Sequence, residues 1–156
     1  MKPTVYIETT VVSYLAVSPS RDLVVAAHQQ ITHDWWNRRD RFDLLKSQAV
    51  LDEAPRGDQD AAARRLGFLA TIPVLSVSDD VIEFAERLLR ARVVPTKVHS
   101  DAVHIAATAM NRVRYLLTWN CAHIANATAR GKIENACRAA GLEAPIICTP
   151  EELMEA

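Results

Sequence analysis

The sequence predicts an α/β layered domain built around a mostly parallel sheet. Short apolar runs rich in β-branched and aromatic residues alternate along the chain with longer segments of helical periodicity. No two like elements are joined by a recognisable hairpin, and cap residues stand where several of the periodic segments begin.

Val5-Tyr6-Ile7 is the first strand. Ser20-Arg21-Asp22 then supplies cap residues for a helix over "LVVAAHQQITHDWWNRR", in which Leu23, Ala26, Ala27, Gln30, Ile31 and Asp34 to Trp36 recur at helical spacing. Phe42 to Leu45 reads as a second strand. Ser47 is placed as N-cap of "QAVLDEA", a helix stopped by Pro55 and Gly57. Asp58 or Asp60 starts the next helix, with Ala62, Leu66 and Leu69 on its inner face. Pro73-Val74-Leu75 is a third strand candidate, and Ser78 caps "DDVIEFAERLLRARVV". After Pro95, "KVHSDAVHIAATAMNRV" forms a helix with Asp101 near its N-terminal end. Tyr115 to Thr118 is a buried strand and Ile146-Ile147-Cys148 the last one. Thr149 and Glu152 have capping-box spacing, with Pro150 at the first helical position.

A chain of 156 residues with 49% apolar and 24% charged residues fits one domain over 1–156, with no repeat, linker or low-complexity segment. The net charge of −1 gives no global basic field, so any polyanion must be held by local clusters. Cys121, Cys137 and Cys148 are odd in number and lack a C-x-x-C pair; with no signal-like apolar segment at the start, reduced thiols in a cytoplasmic protein are expected. No apolar run approaches the roughly 18–20 residues that a membrane span needs.

In open parallel folds, binding sites gather beyond the carboxyl ends of the strands. Glu8 follows the first strand, Asn120 follows "YLLTW", Asp101 lies near a helix start, and Glu53 lies on the helix after the second strand. Three carboxylates converging from separate elements repel one another unless a divalent cation neutralises them. An oxygen-rich set with few cysteines or histidines suits Mg²⁺ or Mn²⁺ better than zinc. Each residue also has an ordinary structural reading. Glu8 can be a solvated loop charge, Asp101 a complement to the helix dipole, and Asn120 a turn or cap residue. Glu53 can face solvent, and Asp52 beside it is equally suitable by type.

The segments "YIETTVVSYL", "SQAVLDEAPRGD", "HSDAVHIAATA" and "YLLTWNCAHIANA" together resemble the PIN domain, and more narrowly the VapC-type toxins of bacterial type II toxin–antitoxin pairs. The resemblance runs from Val5 to about Leu153. It implies a three-layer α/β/α domain with a central parallel sheet, acting as a metal-dependent endoribonuclease that hydrolyses RNA phosphodiester bonds. By motif match Glu8, Glu53, Asp101 and Asn120 become the catalytic set, with Glu8, Glu53 and Asp101 holding Mg²⁺ or Mn²⁺. Thr10 and Thr118 are implied to hold metal waters or the carboxylates. His104, three residues after Asp101 on the same helix, can by its own chemistry donate to a carboxylate or to RNA, with a packed core histidine as its alternative. The family's usual first acid is Asp where this chain has Glu8, and the fourth position is the neutral Asn120. The implied partners are an RNA substrate, a small antitoxin and a second copy of the chain, with no membrane. The rival from another class is a PIN-fold protein that binds RNA or a partner with weak or no cleavage.

Other residues carry open alternatives. His123 is a phosphate contact or a helix cap. Trp35-Trp36-Asn37-Arg38-Arg39 is an aromatic–basic RNA platform, or a core tryptophan beside solvated arginines. Arg64, Arg65, Arg87, Arg90 and Arg92 are surface charges or phosphate contacts.

Overall fold

The computed structural model describes residues 1–155. Four parallel strands, β1 (Thr4–Ile7), β2 (Asp43–Leu45), β3 (Tyr115–Leu117) and β4 (Ile146–Cys148), form one sheet in the order β2-β1-β3-β4. Seven α-helices connect and cover them: α1 (Thr9–Ala16), α2 (Leu23–Trp36), α3 (Gln48–Glu53), α4 (Gln59–Leu69), α5 (Asp79–Arg90), α6 (His99–Met110) and α7 (Ala127–Ala139). Val5, Tyr6 and Ile7 are successive residues and all fully buried. Since neighbours on a strand point to opposite faces, both faces of the sheet are covered, which makes the domain a three-layer α/β/α fold. Helix α1 packs on α2 and α4, while α6 packs on α5, α3 and β3. No helix among the described residues is long and apolar enough to cross a membrane.

Several local expectations are corrected. The stretch after Glu8, to which the sequence pattern assigns no element, forms helix α1 although its first four residues, Thr9, Thr10, Val11 and Val12, are β-branched. The Glu8 side chain caps it by accepting from the Thr10 amide, and burial of Val11, Val12 and Leu15 compensates for the poor propensity. Pro73-Val74-Leu75 is not a strand. It makes a single bridge, Val74 to Lys46, because Pro73 offers no amide proton and the half-exposed Val74 lies at the sheet edge. Ser47 occupies the N-cap position of α3 without a capping bond; its hydroxyl is spent elsewhere. Leu66 is exposed, whereas Ala62 and Leu69 are buried as expected for the inner face of α4. Thr149 and Glu152 do bond reciprocally, at 3.1 and 3.3 Å, but open a run of turns and no helix.

The strand order places the sheet's switch point between β1 and β3, where the connection from β1 leaves to one side and the chain later returns on the other. The strand ends are level there: Ile7 pairs with Leu117, the Glu8 amide donates to the Leu117 carbonyl at 3.1 Å, and Thr118 follows directly. The backbone thus delivers Glu8, Thr118 and Asn120 to one crevice.

Candidate functional site

Glu8 is almost entirely buried, which is unusual for a carboxylate. All its hydrogen bonds fall on Oε1, from the Thr10 amide at 3.2 Å, the Thr10 hydroxyl, and the Thr118 hydroxyl at 2.6 Å. Oε2 carries no hydrogen bond from the described residues. The Thr10 hydroxyl also receives the Trp119 amide at 2.8 Å, so the β1 and β3 ends are stitched together through the same two threonines.

Glu53, at the end of α3, faces Glu8. Its Oε1 accepts from the Thr9 hydroxyl at 2.9 Å and from His104 Nε2 at 2.5 Å, while Oε2 has only a long contact of 3.4 Å from Ser100. Ser100 and His104 are one turn apart on α6, so a single helix face grips Glu53. Arg65, itself buried, binds the Ala54 carbonyl at 2.8 Å and the Arg56 carbonyl, fixing the chain just after Glu53.

His104 is fully buried, with its other nitrogen, Nδ1, 2.6 Å from the Tyr6 hydroxyl, which lies 2.6 Å from Ser47 Oγ. A continuous chain therefore runs Ser47–Tyr6–His104–Glu53–Thr9. Donation from Nε2 to the carboxylate fixes the ring orientation, whichever state Nδ1 adopts. Sequence reasoning missed Tyr6, Ser47 and Thr9. One signal was available: Tyr6 and Glu8 are two apart on extended backbone and so project to the same face.

Ligand atoms of Glu8, Glu53 and His104 all lie within 4.8 Å of one another. Asp101 stands outside this trio. It is buried in the first turn of α6, and its Oδ2 accepts from His123 Nδ1 at 2.9 Å, leaving Oδ1 without a hydrogen-bond partner among the described residues. Asn120 Oδ1 accepts the His123 amide at 3.1 Å. Helix α7 begins only after this turn, at Ala127, with Asn126 as its cap. Glu53, Asp101, Asn120 and His123 line one open cleft of about 970 Å³. Of the aromatic–basic stretch, Trp35 is a core residue, and Arg39 stacks over the partly buried Trp36 at 4.6 Å.

The electrostatics follow from this packing. Burial pushes the Glu8 carboxyl up, against the opposing pull of His104 and the threonine hydroxyls. Burial also works against charge on His104, yet its bond to Glu53 and the nearby Glu8 and Asp101 charges raise it on balance. Glu53 feels the same desolvation but ends below the usual range, because His104, Thr9 and Arg56 favour its ionised form. The three groups thus favour one another's charge states, His104 being raised by the acids and Glu53 lowered by His104.

That balance predicts the pH profile of the metal-free fold. Glu53, being lowered, stabilises the fold above its unfolded value of about 4.5, and this is lost as pH falls through the folded value. His104, being raised, stabilises fully below about 6.5, and the contribution drains as pH rises through the folded value. Raised Glu8 acts in the same sense as His104. In EDTA, Tm should peak between about pH 4.5 and 6.5 and decline as pH rises above that window. In His104→Gln the decline above about pH 6.5 should be much shallower. Thermal scans across pH check this, and an equally steep alkaline decline in the variant would contradict it.

The donor set suits a hard divalent cation. Glu8 Oε2 and Glu53 Oε2 are the oxygens least engaged by protein, each on a carboxylate whose other oxygen is clamped. His104 has both nitrogens committed, so it orients Glu53 more readily than it binds a metal itself. Compared with models of protein families and with curated protein sequences, the chain matches none.

Proposed function

We propose that this protein is an endoribonuclease dependent on Mg²⁺ or Mn²⁺, of the PIN type, and the toxin of a type II toxin–antitoxin pair. The observation that carries the metal-dependent chemistry is the pairing of the buried Glu8 carboxylate with the partly buried Glu53, held at the switch point with ligand atoms within 4.8 Å and a clamped oxygen each. The RNA substrate and the toxin role rest on the motif resemblance.

A divalent cation bound by Glu8 and Glu53, with Asp101 reaching it directly or through water, would polarise a phosphate oxygen and make a bound water more acidic. Thr10 and Thr118 keep Glu8 in one rotamer, and Thr9, Ser100 and His104 do the same for Glu53. Asn120, with Oδ1 occupied by the His123 amide, has its amide protons free to meet a phosphate oxygen without adding negative charge. Leu23 and Val24, exposed at the start of α2, and the half-exposed Val17 support an apolar contact with an antitoxin or a second copy.

A second reading has its own observation. His104 sits against both acids and offsets part of their charge, and Glu8 stands where Asp is usual, so the geometry of the site does not depend on a cation. The protein is then an RNA- or partner-binding module. Purified chain, free of any partner, separates the two. We expect Mn²⁺ to raise Tm, RNA including tRNA to be cut with Mg²⁺ or Mn²⁺ but not in EDTA, and DNA to survive. A broad RNA panel left intact at high metal would establish the second reading. Equal Mn²⁺ affinity of wild type and Asp101→Asn would remove Asp101 from the metal set.

A further inference from the structure

Beside the acid cleft lies a second cavity, of about 640 Å³, with walls of opposite character. Arg92, Lys97, Lys132 and His123 line it, and no aspartate or glutamate does. In a chain with 19 acidic and 18 basic residues, a concave surface with three full cations and no carboxylate is a local excess that average composition does not supply. Among the described residues, the side chains of Arg92, Lys97 and Lys132 enter no ion pair or hydrogen bond. Their charges are not used by the fold.

The elements explain how the cations come together. Helix α5 ends with the Arg92 amide on the Leu89 carbonyl and the Val93 amide on the Leu88 carbonyl, a left-handed turn that sets Arg92 on the cavity wall. Lys97 comes from the segment leading into α6, and Lys132 from the second turn of α7. Lys97 and His123 line both this cavity and the acid cleft, so the two form one continuous path. Buried carboxylates repel a polyanion, and cations beside them supply the attraction that brings a phosphate chain within reach.

We propose that this cavity binds the backbone phosphates of the RNA strand next to the bond that is cut. The proposal rests on the nuclease reading for its substrate, but RNA binding is measurable without turnover. An occupant of another class, an acidic peptide, would also suit cations. The continuity with the acid cleft favours the strand, because a substrate has to span both.

The test uses a fluorescent single-stranded RNA oligonucleotide in EDTA, with wild type and Arg92→Glu/Lys132→Glu. Lys132 is exposed, Arg92 keeps its backbone, and neither touches the acid cluster. The double variant should bind RNA at least about tenfold more weakly, and the slope of log affinity against log salt should fall by about 1.4, from about 0.7 per lost phosphate contact. Tm and Mn²⁺ affinity should stay as in wild type. Under cleavage conditions KM should rise with kcat little changed, and Arg92→Lys/Lys132→Arg should restore binding. Unchanged RNA affinity and salt slope in the charge-reversed variant, with cleavage intact, would overturn the proposal and leave the nuclease reading standing. Wild type that binds RNA through these residues yet never cleaves would overturn the nuclease reading and leave the cavity assigned. Polyglutamate binding as tightly as RNA, lost in the same variant, would reassign the cavity to an acidic peptide.

Discussion

Replacing His104 with alanine is expected to cost the metal-free protein about 3–5 kcal/mol of stability. At about 2–4 °C of Tm per kcal/mol for a chain of this size, that is a loss of roughly 6–20 °C. His104 is fully buried and is the ion-pair partner of Glu53, and its charge also acts on Glu8. Its removal leaves two carboxylates facing each other without a counter-charge, a Tyr6 hydroxyl with only Ser47, and a ring-sized void. The His104 contribution is complete below about pH 6.5 and drains as pH rises through its raised folded value, so the deficit should be largest in mildly acid solution and shrink toward alkaline pH. Glutamine at 104 keeps a donor for Glu53 and most of the volume, and should cost distinctly less. Adding Mn²⁺ should return part of the lost Tm in His104→Ala, because the cation supplies the missing positive charge. Denaturant unfolding in EDTA decides the matter. A His104→Ala protein within about 1 kcal/mol of wild type would mean the acids are not held by this imidazole.

That contact also marks where the sequence stops being readable. The strands β1, β2, β3 and β4 were legible as short apolar runs between polar or turn residues, and α4 announces itself by the aspartates at its start, of which Asp58 is the cap. Helix α1 was not legible, since its opening residues favour strands and only the Glu8 cap and the packing of Val11, Val12 and Leu15 make it helical. Glu8 and Glu53 could be picked out as acids at strand and helix ends, and they do converge. What could not be read is how they are held. Tyr6 meets His104 across 98 positions and Ser47 across 41, and no local periodicity encodes such pairings. Asp101 shows the converse: its place in the first turn of α6 follows from local pattern, but its engagement with His123, 22 residues on, depends on the turn that Asn120 organises.

Substituting Glu8 by Asp, the residue more usual in the family it resembles, is expected to lower activity. Aspartate withdraws the carboxylate by one C–C bond, about 1.5 Å. Thr118 donates to Oε1 at 2.6 Å and the Thr10 hydroxyl is closer still, so the pocket is built for the longer arm. Mg²⁺ tolerates little variation around about 2.0–2.1 Å from its oxygens, and a retracted carboxylate meets neither the threonines nor the cation well. We expect kcat/KM on RNA to fall at least about tenfold, about 1.4 kcal/mol in transition-state terms, with weaker Mn²⁺ binding. Glu8→Gln keeps the length and removes the charge that a cation needs, so its loss should be larger, at least about a hundredfold or about 2.7 kcal/mol. Folding separates from chemistry here. Aspartate is also a good N-cap for α1, which limits the cost of the weakened threonine contacts, so Glu8→Asp should lose activity out of proportion to any fall in Tm. Side-by-side kinetics and calorimetry of the three proteins make the comparison. Should Glu8→Asp exceed wild type in activity, Glu8 would be a partly disabling residue, and the binding-module reading would take precedence over the nuclease.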